Sequence, residues 1–113
     1  MRELYIGIDS GTQSTKALVV NAKNGKVLGS GQRGYGLIKG LSAGAKEQHP
    51  ETWKKATGAA IKAALKEAKA SAAEVKGIGV SGQQHGFVPL DKNGEVIRPA
   101  KLWCDTTTGA ECE

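Results

Sequence analysis

The residues best suited to chemistry lie near the start of the chain, in the segment GIDSGTQSTK at residues 7–16. Asp9 ends an apolar run that predicts a short buried strand, and the turn after it is rich in glycine and hydroxyl groups. Glycine lets the backbone approach an anion, and a carboxylate beside polyphosphate suits Mg²⁺. The segment predicts a phosphate site with Asp9 on the metal side and, as phosphate-binding residues, Gly11, Thr12, Gln13, Ser14 and Lys16.

A second group of polar side chains follows another predicted strand. Gln83, Gln84 and His85 come directly after the sequence VKGIGVSG. Ligands of open α/β sheets usually bind beyond the carboxyl ends of the strands, so this position favours a binding role. Amide and imidazole groups both donate and accept hydrogen bonds, as a ligand rich in hydroxyl groups requires. The alternative is a loop histidine that makes only structural hydrogen bonds.

Polarity patterns and turn signals predict the elements that carry these residues. We expect buried strands at 4–9 and 75–81, a second strand at 16–21, a helix over about 50–69, and a brief helical turn capped by Ser71 and Glu74. Asn24-Gly25 predicts a two-residue hairpin turn with positive φ at both residues, so three antiparallel strands open the domain. Residues 33–48 are predicted to form a loop.

The last third of the chain carries weaker signals. Residues 87–90 and 95–97 are predicted to flank a second turn, Asp91-Lys92-Asn93-Gly94, which repeats the turn chemistry of the first hairpin. Residues 106–113 have the pattern of a helix that begins after a threonine cap. A helix that stops in its first turn leads us to expect a longer parent protein.

Length and composition narrow the class of protein. A chain of 113 residues, 39% apolar and 24% charged, is expected to form one globular domain. The net charge of +5 suits an anionic ligand, but the lysines form no basic run, and neither nucleic acid nor a membrane is expected as a partner. Cys104 and Cys112 match no zinc or disulfide pattern, so a cytoplasmic setting is expected.

Several motifs together resemble a known family. GIDSGTQSTKAL resembles the first phosphate motif of the actin, Hsp70 and sugar kinase superfamily, whose fold is ribonuclease H-like. GVSGQQHG at 79–86 is similar to the substrate loop of the FGGY carbohydrate kinases, and is closest to the xylulokinases. RPAKLWCDT at 98–106 resembles the segment that lines the sugar cleft of that family. EQHPETW at 47–53 resembles the family's entry to the first helix.

The resemblance implies an α/β, ribonuclease H-like domain whose mixed sheet has three antiparallel strands, a helix and a parallel strand. It implies transfer of the γ-phosphoryl group of ATP to D-xylulose with Mg²⁺ as cofactor, forming D-xylulose 5-phosphate. It assigns substrate binding to Gln83, Gln84, His85, Trp103 and Asp105. Of these five, Gln84 and His85 match the family's sugar-contacting pair.

The resemblance also implies that much of the machinery lies elsewhere. The general base of the family is an aspartate well downstream, and the adenosine pocket lies in the carboxy-terminal half. Residues 1–113 are therefore expected to be the amino-terminal part of the FGGY N-terminal domain, without the carboxy-terminal domain and inactive alone. A homodimer of the full-length protein is an arrangement that the resemblance leaves open.

Four other interpretations remain open at this stage. The protein could phosphorylate another sugar or polyol of the same family, or bind nucleotide without catalysis. A nuclease of the ribonuclease H fold would also carry an aspartate on its first strand, but it needs a cluster of carboxylates around two metal ions. Finally, Asp9 and Gly11 could form an ordinary turn at the end of a strand.

Overall fold

The computed structural model describes all residues from 1 to 113 and places a four-stranded sheet at its centre. The strands are β1 (Leu4–Ser10), β2 (Ser14–Asn21), β3 (Val27–Gly34) and β5 (Val75–Gly82), in the order β3-β2-β1-β5. The first three run antiparallel, and β5 pairs with β1 in parallel. The predicted α/β fold with a mixed sheet is confirmed. A minor sheet joins β4 (Glu47–Gln48) to β6 (Ala100–Lys101).

One helix, α1 (Pro50–Ala68), makes the crossover between β3 and β5, as predicted. Alternate residues from Leu4 to Ile8 and from Thr15 to Val19 are buried on the side of the sheet that carries α1, because successive side chains of a strand point to opposite faces. The helix presents alanines to the sheet, and β3 presents glycines. The core cluster consists of Leu4, Ile6, Ile8, Ala17, Val19, Ala60, Ala64 and Ala68.

Close packing of α1 on β3 depends on two glycines. A Cβ atom added at Gly31 would collide with the carbonyl oxygen of Ala60, and one added at Gly29 would collide with that of Ala64. The helix therefore lies directly against the β3 backbone. This contact sets the distance between the second half of α1 and the sheet.

The helix leaves the other half of this sheet face uncovered. Ile78 and Val80 of β5 pair with Ile6 and Ile8 of β1, so they point to the same face, yet they are 55% and 71% exposed. The cause is the position of α1, which packs on β2 and β3 and barely reaches β1. The apolar strand predicted at 75–81 is therefore a surface strand in this chain.

The turn before β5 is tied to the amino terminus. Residues Ala72–Glu74 form a 3₁₀ turn, in which the Ser71 N–H donates to Glu74 Oε1 at 3.1 Å, so the predicted cap is confirmed. Arg2 Nε donates to Glu74 Oε2 at 2.8 Å, and this bond, together with the one from the Ser71 N–H, lowers the pKa of Glu74 to about 2. No helix of the chain is both long enough and apolar enough to cross a membrane.

The first hairpin forms, but its predicted turn type is wrong. Of the two turn residues Asn24 and Gly25, only Gly25 has positive φ, at 72°. The Asn21 N–H donates to Lys26 O, so this bond closes a loop of more than two residues. Asn24 Oδ1 instead accepts the Lys26 N–H at 3.0 Å. An asparagine side chain that bonds its own backbone needs no left-handed conformation, so it stabilises the longer loop.

Two other predicted boundaries also need correction. The loop expected at 33–48 is shorter, because β3 continues to Gly34 and residues 47–48 form β4. The second turn, expected between 87–90 and 95–97, is confirmed: Gly94 has φ 81°, and the segments on either side of the turn pair through the isolated bridge Leu90–Val96. The helix expected after 106 is only a 3₁₀ turn, Ala110–Cys112.

Candidate phosphate and sugar site

The predicted phosphate segment forms the tight turn between β1 and β2. The Gly11 N–H donates to Ser14 O at 2.9 Å and closes the turn. The N–H groups of Thr12 and Gln13 have no acceptor within the chain. Backbone donors that project from a turn in this way form an anion-binding concavity. The turn lines a cavity of about 440 Å³ together with Asp9, Lys16, Gln32 and Trp103.

Asp9 and Lys16 are direct partners across the β1–β2 ladder. Both side chains are exposed on the face of the sheet opposite α1, at the mouth of the phosphate turn. A carboxylate and an ammonium group at opposed positions lie close enough to contact the same ligand. The predicted metal-side residue and the predicted phosphate lysine therefore flank one cavity.

Tyr35 is hydrogen-bonded to the phosphate turn, although no sequence motif predicted it as a site residue. Its hydroxyl donates to Gly11 O and accepts from Thr15 Oγ1 at 3.1 Å. Its N–H donates to Gln13 O at 2.9 Å. Tyr35 lies just after β3, in the segment predicted as a loop, where no sequence pattern marks it as a site residue.

The second predicted group, Gln83 to His85, follows β5, and its members differ in their contacts within the chain. The Gln83 N–H donates to Ser10 O at 2.9 Å, which joins this loop to the end of β1. The Gln83 side chain accepts from Thr12 Oγ1 at 3.1 Å. Gln84 and His85, in contrast, are exposed and make no side-chain hydrogen bond within the chain.

The backbone of His85 is left-handed, with φ 65°, a conformation that is uncommon outside glycine, although histidine, asparagine and aspartate adopt it more often than other residues. Such conformations cost free energy and persist where the surroundings enforce them, often at binding sites. The loop that carries Gln84 and His85 lines a cavity of about 520 Å³ with Ser10, Trp53 and Leu102. This cavity is the second half of the candidate site.

Trp103 and Asp105 differ in whether their side chains remain available to contact a ligand. Trp103 is 58% exposed, so it is not a core residue, and its Nε1 donates to Thr12 Oγ1 at 3.0 Å. It therefore contacts the phosphate turn. Asp105 is occupied within the chain: Oδ1 accepts from the Thr107 hydroxyl and N–H, and Oδ2 accepts from the Lys46 N–H at 2.9 Å. These bonds, those from Thr107 first, hold the pKa of Asp105 below its ordinary value.

Gln48 joins the two halves of the site, and the sequence analysis had placed it only at the entry to the helix. It is 1% exposed. Its Nε2 donates to Thr12 O at 2.8 Å, and its Oε1 accepts from Trp53 Nε1 at 2.8 Å and from Gln83 Nε2 at 3.3 Å. The phosphate turn, α1 and the Gln83 loop therefore meet at one buried amide.

The donor set fits Mg²⁺ bound together with a polyphosphate better than a metal held by protein alone. No three histidine, cysteine, aspartate or glutamate side chains come together anywhere in the chain. Mg²⁺ commonly uses one or two carboxylates and completes its shell with phosphate oxygens and water, as Asp9 beside the turn would allow. The two-metal nuclease alternative loses its basis, because no carboxylate cluster surrounds Asp9.

Comparison with known proteins agrees with this geometry. Residues 4–113 match the model of the FGGY family of carbohydrate kinases, N-terminal domain. The chain is 51% identical over 112 residues to the xylulose kinase of Haemophilus influenzae, covering 96% of this chain and 22% of that protein. It therefore spans about a fifth of the length of the curated relatives it matches.

Solved structures of sugar kinases share the fold. The xylulose kinase of Rhodospirillum rubrum superposes with a TM-score of 0.84 at 28% identity, over 96% of this chain and 22% of that one. The gluconate kinase of Lactobacillus acidophilus superposes with a TM-score of 0.87 at 26% identity, over 98% and 22%. Because kinases of different substrates fit equally well, the backbone alone does not distinguish the sugar.

Proposed function

The chain belongs to the FGGY family of carbohydrate kinases, and from that premise we propose that the full-length protein transfers the γ-phosphoryl group of ATP to D-xylulose. The observation that carries the proposal is the phosphate turn, whose free Thr12 and Gln13 amides stand between Asp9, Lys16 and the loop of Gln84 and His85. Residues 1–113 would then form the amino-terminal part of the FGGY N-terminal domain. The exposed Ile78 and Val80 leave apolar surface for further elements of that domain.

Each part of the site has a distinct task in this proposal. The amides of Thr12 and Gln13, the Ser14 hydroxyl and Lys16 would hold phosphate oxygens, with Gly11 keeping the approach open. Asp9 would bind Mg²⁺ or its water shell; when bound, this ion would neutralise developing charge on the phosphate. Trp103 would bound the phosphate cavity, because its indole already contacts the turn.

Sugar recognition is assigned to the free side chains of the second cavity. Gln84 and His85 would contact sugar hydroxyls, because neither side chain has a partner within the chain. Gln83 and Asp105, whose polar atoms are occupied, would support the site by holding the loop of 83–85 and the segment of 103–107 in place. The general base is predicted to be a residue outside these 113. The cytoplasmic location and the homodimer also stay predictions.

Xylulose-dependent ADP release is the direct test. The full-length protein is assayed with Mg²⁺ and ATP across D-xylulose, L-ribulose, glycerol and gluconate, beside the variants Asp9→Asn and Asp91→Asn. The second variant is a matched control, because Asp91 only accepts N–H bonds from its own turn and asparagine can do the same. We expect D-xylulose to be preferred, Asp9→Asn to lose turnover, and Asp91→Asn to match the wild type.

The same assay decides between the proposal and its alternatives. Preference for gluconate or another polyol would identify a kinase of the same family with a different substrate, which the fit to a gluconate kinase favours as the second candidate. ATP binding without ADP release for any substrate would favour a noncatalytic nucleotide-binding module. His85→Asn separates substrate contact from folding, because asparagine tolerates the left-handed backbone at this position.

A further inference from the structure

We propose that Gln48 is a positioning residue that holds the phosphate turn and the sugar loop in register with each other. The proposal rests on the function proposed above. Gln48 is the second residue of the two-residue strand β4, two positions before α1 begins at Pro50, and it is buried without lining either cavity. It therefore acts on the site through other residues.

The hydrogen bonds of Gln48 use the full capacity of a side-chain amide. Nε2 donates to Thr12 O at 2.8 Å and to Gly36 O at 3.3 Å. Oε1 accepts from Trp53 Nε1 at 2.8 Å and from Gln83 Nε2 at 3.3 Å. Carbonyl oxygens only accept and an indole N–H only donates, so the orientation of the amide is determined by its partners. No other residue type has two donors and an acceptor at this reach.

The network extends from Gln48 to the side chains that face the ligands. Gln83 Oε1 accepts from Thr12 Oγ1, which in turn accepts from Trp103 Nε1 at 3.0 Å. Gln48 thus fixes both the backbone of Thr12 and the amide of Gln83. A shift of either group would move the free amides of the turn or the neighbouring Gln84 and His85. Phosphoryl transfer is sensitive to such shifts, since a misplacement of about 1 Å can cost about 100-fold in rate.

Two substitutions divide the functions of the amide. Gln48→Met keeps the length of the side chain and removes every hydrogen bond. Gln48→Glu keeps the acceptor for Trp53 and Gln83, but turns a carboxylate oxygen toward the carbonyl oxygens of Thr12 and Gly36 and adds negative charge beside the phosphate turn. Val19→Ala is the control, because Val19 is a fully buried core residue and none of the hydrogen bonds of this network involves it.

The first arm of the test is kinetic and uses the full-length protein. In Gln48→Met, kcat/KM for D-xylulose is expected to fall by about 10- to 100-fold. Gln48→Glu should in addition raise the KM for ATP. Combining Gln48→Met with Gln83→Leu should cost less than the product of the two single effects, because both break the same bond. Val19→Ala should lower the Tm and leave kcat/KM within twofold of the wild type.

The second arm needs no turnover. The 113-residue chain contains only two tryptophans, Trp53 and Trp103, and both indole N–H groups donate within the network. In ¹⁵N-labelled chain, Gln48→Met should shift the Trp103 indole signal and accelerate its hydrogen exchange, although Trp103 does not contact Gln48. Val19→Ala should leave both indole signals in place.

The outcomes separate the inference from the proposed function. Wild-type protein without sugar-dependent ADP release would refute the proposed function, and the indole signals would still decide the role of Gln48. An unchanged Trp103 signal in Gln48→Met, or kinetics that match Val19→Ala at equal loss of Tm, would overturn the inference.

Discussion

The glycine contact between β3 and α1 yields a prediction with a magnitude that the structure supplies. In Gly31→Ala, the new Cβ would overlap the carbonyl oxygen of Ala60 and crowd Ala63 and the backbone nitrogen of Ala64. All of these atoms belong to the helix, two of them to its backbone, so the overlap cannot be relieved by rotating a side chain. The helix would have to move away from the sheet.

The expected cost combines two opposing effects. Overpacking of a core contact costs about 1–3 kcal/mol, and replacing glycine by alanine in a strand recovers about 0.5–1 kcal/mol. A net loss of about 1–2 kcal/mol corresponds to a Tm lower by about 4–8 °C for a chain of this size. The matched control is Gly7→Ala in β1, where a Cβ atom would have no atom within 4 Å.

Thermal unfolding of the 113-residue chain, followed by far-ultraviolet circular dichroism, measures both variants under the same conditions. Gly7→Ala should be as stable as the wild type or slightly more stable, because alanine restricts the unfolded chain. If Gly31→Ala melted at or above the temperature of Gly7→Ala, the claim that glycine is required for helix–strand contact would be refuted.

Three further predictions concern the site and its support. Gly11→Ala should fold normally, because its Cβ would meet Ser14 O at an ordinary 3.4 Å, while the KM of the full-length protein for ATP rises by about tenfold, or about 1.4 kcal/mol. Tyr35→Phe should lower the free energy of unfolding by about 1 kcal/mol, because the Gly11 carbonyl loses the shorter of its two hydrogen bonds; urea titration measures this, and an unchanged midpoint would contradict it. Asp105→Asn should lower the Tm at pH 7. Because the folded pKa of Asp105 lies below its ordinary 3.8, its carboxylate stabilises the fold fully above that value. This contribution is lost as the pH falls below it, so the Tm gap between variant and wild type should narrow in melts below pH 4; a constant gap would contradict the assignment.

Much of the architecture could be predicted because it depends on local patterns. Alternating apolar residues in β1 and β2 specify strands with one buried face, and the spacing of alanines after Pro50 specifies the helix. The boundaries of the hairpin turn were less predictable, because Asn24 is compatible with two kinds of turn. In one its backbone is left-handed, and in the other its side chain accepts a backbone N–H. The bridge between Phe87 and Lys101 requires a partner that no local pattern identifies, whereas the bridge between Leu90 and Val96 flanks a turn that local residues predict.

The sequence by itself determined the chemistry of the site: a carboxylate, backbone amides and a lysine around the turn between β1 and β2, and amide and imidazole groups after β5. These follow from residue type and from position at a strand end. Only the tertiary structure decided which polar groups are free and which are occupied. Gln83 and Gln84 are neighbours of the same type, yet one is bonded to Thr12 and Gln48 and the other is exposed. That difference arises because the fold places Gln48, 35 residues away in the chain, beside Gln83 and leaves Gln84 without such a neighbour.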